Sequence, residues 1–198
     1  MWDERYSAKE FAYGTEPNDF LVQMADRLPK GARVLSLAEG EGRNAVYLAT
    51  LGHAVTAVDA SPVGIAKARG LAEFRGVTID TQVADLAVYA IEPESWDGVV
   101  SIFCHVPETI RADLHRRVVH GLKPGGVLIL EAYTPAQLGY GTGGPTVVDR
   151  TMTLDALRAE LAPLEIEHGA ELERDVHEGL YHTGLGAVVQ VVARKPRS

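Results

Sequence analysis

Residues 33–45 read RVLSLAEGEGRNA and decide the fold. The first five residues are mostly apolar and predict a buried strand. A turn containing Gly40 and Gly42 follows, and residues 44–51 (NAVYLATL) show a helical pattern that ends at Gly52. This order predicts a strand, a tight turn and a helix. Glycines let the backbone approach a ligand closely, and free N–H groups at a helix start attract one. We therefore predict a ligand site at this turn.

Apolar runs alternate with helical patterns along the rest of the chain, as is typical of parallel βαβ units. The further predicted strands are 54–58, 77–83, 96–103, 127–131, 164–173 and 187–193. The predicted helices are 17–28, 62–75, 108–121 and one that starts near Thr153. We expect one α/β domain over residues 1–198, in which residues 1–30 form a helical cap and residues 31–198 the core.

Composition limits the possible partners and compartments. The 198 residues suit one domain, and 46% hydrophobic with 23% charged residues is ordinary for a globular protein. A formal net charge of -8 argues against nucleic acid as the main partner. The sequence has neither a long apolar run nor an apolar leader at its start, so we expect no membrane partner and no signal peptide. The lone cysteine, Cys104, fits a reducing cytoplasm.

Two aspartates follow predicted strands, at the edge where open parallel sheets bind their ligands. Asp59 ends the second strand, and its carboxylate suits the two hydroxyls of a ribose. The spacing Gly40-x-Gly42-x-x-Ala45 also satisfies a dinucleotide fingerprint, so these residues leave a nicotinamide cofactor open. Asp85, after the third strand, suits an adenine amino group, and LKPGG at residues 122–126 follows the 108–121 helix. These two features favour a methyl-transfer cofactor.

The chain resembles the class I S-adenosylmethionine-dependent methyltransferases. The likeness is greatest to the small bacterial branch similar to tellurite-resistance and thiopurine methyltransferases. The matching segments occur in the family order and cover nearly the whole chain. They are WDERYSAKEFAYGTEPNDFL, LAEGEGRNAVYLA, VTAVDAS, ADL, SIFCHVP, LKPGG and EGLYHTG.

The resemblance implies a three-layer, doubly wound, Rossmann-like α/β fold. Its seven-stranded sheet is mostly parallel, with the last strand antiparallel and inserted beside the fifth. The implied cofactor is S-adenosyl-L-methionine, which leaves as S-adenosyl-L-homocysteine. The implied cofactor-binding residues are Glu39, Gly40, Gly42, Arg43, Asn44, Asp59, Ala60, Asp85, Leu86 and Phe103.

The chain departs from the family pattern in its first strand. The family usually has an acidic residue and a glycine at positions that are Ser36 and Ala38 here. Glu39 is our candidate for the missing carboxylate. Arg43 and Asn44 either touch the cofactor carboxylate or cap the helix.

Methyl transfer from a sulfonium needs no metal and depends largely on alignment. His105, after the fourth strand, is the candidate catalytic residue, either as a general base or as a packing residue before Pro107. We expect Cys104 to be a core residue. His182 is predicted to lie in a polar loop on the substrate side. Tyr13 and Tyr140 are predicted to belong to a substrate lid, the latter in the glycine-rich segment 139–145.

The predicted function is methyl transfer to a small-molecule acceptor, for which a soft sulfur, selenium or tellurium nucleophile is one option. One alternative is an NAD(P)-dependent oxidoreductase. The other is a protein that binds S-adenosylmethionine without catalysis, which the altered Ser36 and Ala38 keep open.

Overall fold

Seven strands and six α-helices form the part of the chain described by the computed structural model, residues 2–197. The strands are β1 (Arg33–Leu37), β2 (Ala54–Asp59), β3 (Asp80–Val83), β4 (Trp96–Ile102), β5 (Leu122–Tyr133), β6 (Glu165–Glu178) and β7 (His182–Arg194). The helices are α1 (Trp2–Tyr6), α2 (Asp19–Met24), α3 (Arg43–Thr50), α4 (Pro62–Phe74), α5 (Glu108–Gly121) and α6 (Leu154–Glu160). Met1 and Ser198, the ends of the predicted domain, lie outside the described residues.

All the strands belong to one sheet in the order β3-β2-β1-β4-β5-β7-β6. Strands β1 to β5 pair in parallel, whereas β7 runs antiparallel between β5 and β6. The predicted seven-stranded sheet with its inserted last strand is confirmed. Strand order reverses between β1 and β4, so this sheet binds ligands outside the carboxyl ends of those two strands.

Helices cover both faces of the sheet because its central strands are apolar on both sides. Val34 points to one face, where it packs in a cluster with Leu48 of α3. Its neighbour Leu35 points to the other face, where it packs with Leu114 of α5 and Leu157 of α6. All five side chains are almost fully buried. The result is the predicted three-layer arrangement.

Polar side chains define where the helices begin. The Ser61 hydroxyl accepts the Gly64 N–H at 3.0 Å, and Pro62 occupies the first turn of α4. Asn18 caps α2 in the same way, since its side chain accepts the Leu21 N–H at 2.9 Å. None of the helices within residues 2–197 is long and apolar enough to cross a membrane.

Several predicted boundaries are wrong. The segment LKPGG lies inside β5, where Leu122 pairs with Trp96 and a register shift between Trp96 and Gly98 accommodates the irregular segment. Strands β6 and β7 are longer than predicted, because cross-strand pairing continues to Glu178 and His182. Strand β3 starts only at Asp80, and the 17–28 helix is α2 followed by a short 3-10 turn. Helix α1 was not predicted.

Candidate active site

A cleft of about 700 Å³ opens at the carboxyl ends of the central strands. Its volume lies in the range of about 300–1,000 Å³ that is typical of small-molecule sites. Ala38, Asp59 and Phe103 lie in it, at or just after the ends of β1, β2 and β4. The cleft therefore lies where the strand order reverses. Helix α1, residues 143–150 and the tip of the β6–β7 hairpin supply its other walls.

The cleft brings together most of the residues predicted from the sequence. Those that line it are Tyr13, Glu39, Arg43, Asn44, Asp59, Ala60, Asp85, Leu86, Phe103, His105 and His182. Gly40, Gly42 and Tyr140 are not among the lining residues.

The two glycines of the first turn serve chain packing. Both have positive φ, 63° at Gly40 and 96° at Gly42. A Cβ on Gly40 would lie 2.7 Å from the Tyr6 hydroxyl, and one on Gly42 would lie 2.7 Å from the Cα and Cβ of Ala68. The turn thus needs glycine to let α1 and α4 approach, and the predicted contact of these glycines with the methionine part of a cofactor is not visible in the cleft lining.

Glu39 occupies the start of α3. Its Oε1 accepts the N–H groups of Asn44 at 3.0 Å and Ala45 at 2.9 Å, and the Ser36 hydroxyl donates to its Oε2. Burial raises the pKa of Glu39, and these hydrogen bonds oppose the rise. Our expectation of free helix N–H groups is wrong at these two residues. Ala38 has φ of 50°, in the left-handed region that favours glycine.

Asp59 is held by two backbone groups and still has acceptor capacity. Its Oδ2 accepts the Gly40 N–H and its Oδ1 accepts the Ser61 N–H, both at 2.8 Å. Burial raises the pKa of Asp59, against the effect of these bonds. Each carboxylate oxygen can accept a further hydrogen bond, so the pair of oxygens fits the two hydroxyls of a ribose. Asp85 is exposed on the same wall beside buried Leu86.

Arg43 and Asn44 already have protein partners. Arg43 Nη2 donates to Glu178 Oε2 at 2.6 Å, and Asn44 Oδ1 accepts the Asn18 N–H at 2.9 Å. The Asn18 side-chain amide donates to Glu131 at 2.6 Å and to Glu178 at 2.8 Å. These contacts tie the hairpin tip to α3 and to the segment before α2.

A buried ion network underlies this corner of the site. Arg174 donates to both oxygens of Glu131, at 2.8 and 2.7 Å, and Glu131 is fully buried. Burial would raise the pKa of Glu178, but His182 at 3.5 Å and the Arg43 guanidinium lower it to about 2. Glu178 therefore stays ionised. The sequence patterns EPNDFL and EGLYHTG flagged these segments without revealing that they meet.

Aromatic rings gather next to this network, around His182. The His182 ring lies 4.6 Å from Tyr13, 4.8 Å from Phe103 and 5.2 Å from Tyr133, between ring centroids. His105 stacks on Tyr133 at 5.6 Å. We call these five residues the ring cluster. Phe103 has φ of 52°, a strained conformation for a bulky residue, and such strain concentrates at functional sites.

His105 is held as a neutral ring. The Arg150 carbonyl lies 2.8 Å from Nδ1 and must accept a hydrogen bond, so Nδ1 carries the proton. Nε2 is then the acceptor, and the Tyr133 N–H lies 3.5 Å from it. Burial is the main cause that lowers the pKa of His105 to about 4. Burial also lowers the pKa of His182, whose Nδ1 makes no hydrogen bond within the described chain.

Two further side chains with ionisable groups, the thiol of Cys104 and the imidazole of His177, do not line the cleft. Cys104 is buried in the core, and burial raises the pKa of its thiol to about 12. His177 is exposed on β6, while its neighbour Glu178 is buried. Within residues 2–197, His, Cys, Asp and Glu side chains form no group of three or more that could hold a metal ion.

The glycine-rich segment lines the cleft with its second half and is fixed to the hairpin. Tyr140 lies outside the cleft and its hydroxyl donates to Glu173, so its position gives no support to its predicted place in the lid. Thr142 binds β7 through its carbonyl, which accepts the Thr183 N–H at 3.1 Å. A Cβ on Gly143 would lie 2.1 Å from the Tyr181 carbonyl oxygen.

Sequence reasoning missed two arginines and helix α1. Arg5 Nη1 donates to the Tyr13 hydroxyl at 2.8 Å, and its guanidinium lies 4.6 Å from the centre of the Tyr181 ring. Trp2 and Arg150 also line the cleft. The pattern WDERY was the only signal for α1, and nothing local marked Arg150.

The cleft has two halves that follow from strand order. Glu39, Asp59 and Asp85 come at or just after the ends of β1, β2 and β3, on one side of the reversal. The ring cluster lies on the other side of the reversal. Except for Tyr13, its members come at or just after the ends of β4 and β5 and at the start of β7. We call these the acidic half and the ring half.

Comparisons with known proteins agree with this geometry. A family model described as a methyltransferase domain matches residues 34–126. A ubiquinone biosynthesis O-methyltransferase of Xanthomonas axonopodis pv. citri is 33% identical over 165 residues, which is 77% of this chain and 68% of that protein. A 2-heptyl-1-hydroxyquinolin-4(1H)-one methyltransferase of Mycobacteroides abscessus is 26% identical over 133 residues, covering 66% of this chain and 59% of that protein.

The structure of TehB from Haemophilus influenzae has the same fold, with a TM-score of 0.73 and 20% sequence identity over 98% of this chain and 65% of TehB. The nicotinamide alternative finds no support among these relatives. The sheet order, the cleft at the reversal and the sequence matches lead to one conclusion. The chain belongs to the class I methyltransferases, whose cofactor is S-adenosylmethionine.

Proposed function

We propose that this chain transfers a methyl group from S-adenosylmethionine to a small, planar aromatic molecule that carries an acidic hydroxyl, N-hydroxyl or thiol. The observation that carries the proposal is the ring cluster in the ring half of the cleft. Aromatic rings prefer stacked or edge-to-face neighbours, and such pairs contribute about 0.5–1.5 kcal/mol beyond the burial of area. Four of its members, Tyr13, Phe103, His105 and His182, line the cleft and offer these arrangements to a planar guest, while Tyr133 is buried and packs behind them.

Much of the remaining wall of the ring half is apolar. Val106, Pro107 and Ile110 line it from the start of α5, and Pro145 and Val147 line it from the segment before α6. Apolar walls with few polar groups are typical of sites for small organic molecules. An inorganic oxyanion would leave most of this surface without a partner.

The names of two relatives are consistent with an aromatic acceptor. One specifies a hydroxyquinolinone and the other an O-methyltransferase of ubiquinone biosynthesis. The alignments span 59% and 68% of those proteins, so the proposal takes from them only the class of acceptor.

The acidic half holds the cofactor in this proposal. Asp59 accepts the ribose hydroxyls, Asp85 and Leu86 flank the adenine, and Ala60 and Phe103 border other parts of the cofactor. The buried charge of Glu39 attracts the methionine ammonium. Residues 1–30 act as a cap on a single domain. Helix α1 packs against α4, and its residues Trp2, Arg5 and Tyr6 line the cleft on that side.

The ring half aligns the acceptor. The cofactor supplies a methyl group on a positively charged sulfur, and the enzyme's part is to hold the nucleophile in line with it. The rings of His105 and His182 border that nucleophile, and Tyr13 covers it. A histidine with a pKa of about 4 is a weak base at neutral pH. An acidic or soft nucleophile, such as an aryl thiol, therefore suits the site best.

An acceptor screen tests the proposal. Purified protein is given methyl-labelled S-adenosylmethionine with phenols, N-hydroxyquinolinones, aryl thiols, selenite and tellurite, and S-adenosylhomocysteine release is measured. Asp59→Asn serves as the control with impaired cofactor binding. We expect turnover with aromatic acceptors that carry an acidic group. Turnover confined to selenite or tellurite, or absent with every ring compound, contradicts the proposal.

A further inference from the structure

We propose that the acceptor binds as an anion, with Arg5 and Arg150 as its counter-charges. The inference rests on the proposed function, since it specifies the charge of the aromatic acceptor in the ring half. Both arginines line the cleft, and both are partly exposed to it.

The two arginines differ from the other arginines of this region in their partners. Arg43 pairs with Glu178 at 2.6 Å, Arg111 with Glu160 at 2.8 Å and Arg174 with Glu131 at 2.7 Å. Among residues 2–197, Arg5 and Arg150 take part in no such pair with a carboxylate. The Arg5 side chain donates to the Tyr13 hydroxyl and lies over the rings of Trp2 and Tyr181.

Their positions bracket the ring cluster. Arg5 holds the hydroxyl of Tyr13, whose ring contacts His182. Arg150 also lines the cleft; its backbone carbonyl lies 2.8 Å from His105 Nδ1, and its charge is near enough to act on that ring. In this proposal an aromatic guest among these rings meets one guanidinium from the Arg5 side and one from the Arg150 side. Guanidinium groups bind carboxylates and other planar oxyanions with two parallel hydrogen bonds.

Positive charges face the rings from more than one side. Burial is the main cause of the lowered pKa of His105 and His182, and the charge of Arg150 lowers that of His105 further. At His182 the charges of Arg43 and Arg5 act in the same direction as burial, whereas Glu178 raises the pKa. The nearest carboxylate in this half, Glu178, is paired with Arg43. The chain carries a formal net charge of -8, so the positive charge at this end of the cleft is opposite in sign to the charge of the whole protein.

An anionic acceptor makes the reaction independent of a base. The ionised oxygen, nitrogen or sulfur forms a bond to the methyl carbon while the carbon–sulfur bond breaks, and that electron pair stays on sulfur. The negative charge of the acceptor and the positive charge of the sulfonium cancel, and no proton has to leave. This agrees with a site whose histidines are held neutral.

Two probes of nearly the same shape separate charge from shape. Benzoate and nitrobenzene differ mainly in charge, and each is titrated into protein saturated with S-adenosylhomocysteine, with binding followed by NMR. We expect benzoate to bind at least about tenfold more tightly. In Arg150→Met and Arg5→Met its affinity falls by about tenfold to a hundredfold, the range expected for a lost hydrogen bond to a charged group. Nitrobenzene affinity stays the same.

Control variants exclude a general charge or folding effect. Arg158→Met removes the same charge from exposed α6, outside the cleft, and leaves the benzoate preference unchanged. Arg150→Lys and Arg5→Lys keep the charge and retain part of the preference.

Three results overturn the inference. They are equal binding of the two probes, no binding of benzoate, and a loss of S-adenosylhomocysteine affinity in the Met variants, which would assign the arginines to the cofactor. Equal binding leaves the aromatic acceptor of the proposed function intact. If neither probe binds, both proposals fail.

Discussion

The two halves of the cleft are built in different ways. In the acidic half the carboxylates are held mainly by backbone a few residues further along the chain, such as Asp59 by Ser61 and Asp85 by Ala87. The Gly40 N–H, which binds Asp59 from the preceding strand-to-helix turn, is the exception. In the ring half the partners are remote, as in the His105 contact with Arg150. The acidic half is thus a set of local turns, whereas the ring half exists only when distant segments have assembled.

This difference predicts where the molecule is sensitive. A change in a local turn affects the ligand that the turn holds. A change in the assembled half affects the stability of the whole chain, because Glu131, Arg174 and Glu178 share one buried network with Asn18 and Arg43.

The largest effect is expected from Glu178→Leu. It leaves the Arg43 guanidinium buried without its carboxylate, and removing one partner of a buried pair costs about 3–5 kcal/mol. The free energy of unfolding in urea measures the loss. Glu165→Leu, at an exposed site at the start of the same strand, serves as the control and should stay within about 0.5 kcal/mol. Equal losses in the two variants would contradict the buried network.

Asp59→Asn tests the acidic half. It keeps one acceptor oxygen but loses the charge, so S-adenosylhomocysteine affinity should fall about tenfold to a hundredfold, as expected for hydrogen bonds to a charged group. Isothermal titration calorimetry measures the change, with exposed Asp155→Asn as the control. Unchanged affinity would remove Asp59 from the ribose site.

His105 should make the free energy of unfolding depend on pH. Its folded pKa of about 4 lies below its ordinary value of 6.5, so between these pH values the unfolded chain binds the extra proton and the folded chain does not. This contribution to stability is complete above pH 6.5 and is lost as pH falls towards 4. The dependence of unfolding free energy on pH in this window should be weaker in His105→Gln. An identical dependence in both proteins would show that His105 is not held neutral.

The smallest effect concerns backbone strain in the acidic half. Ala38 has φ of 50°, so Ala38→Gly should raise the free energy of unfolding by up to about 1 kcal/mol. The same substitution at Ala66, exposed in the middle of α4, should lower it by about 1 kcal/mol. Opposite signs in urea unfolding are the expected result. The same sign for both would mean that the turn stores no strain at Ala38.

The contrast also explains what could be predicted from sequence. The strand, turn and helix around Gly40 and Gly42 depend on neighbours in the chain, and so does the position of Asp59 after β2. The family resemblance supplied the order of the strands. The packing role of the two glycines was not predicted, because Tyr6 and Ala68, which pack on them, are distant in sequence.

The ring half was only partly predictable for the same reason. His105 and His182 were noticed by type and by place in the chain. Arg5 and Arg150 carry no local pattern, and their importance follows from missing partners, which only the assembled structure reveals. The length of the β6–β7 hairpin depends on cross-strand pairing that brings Glu178 opposite His182.

A crystal structure with bound S-adenosylhomocysteine tests the division of the cleft most directly. We predict that the ribose hydroxyls bind Asp59, that the adenine lies beside Asp85 and Leu86, and that the sulfur faces the ring cluster. An adenine seated among Tyr13, Phe103 and His182, or a ribose away from Asp59, would contradict the assignment of the two halves.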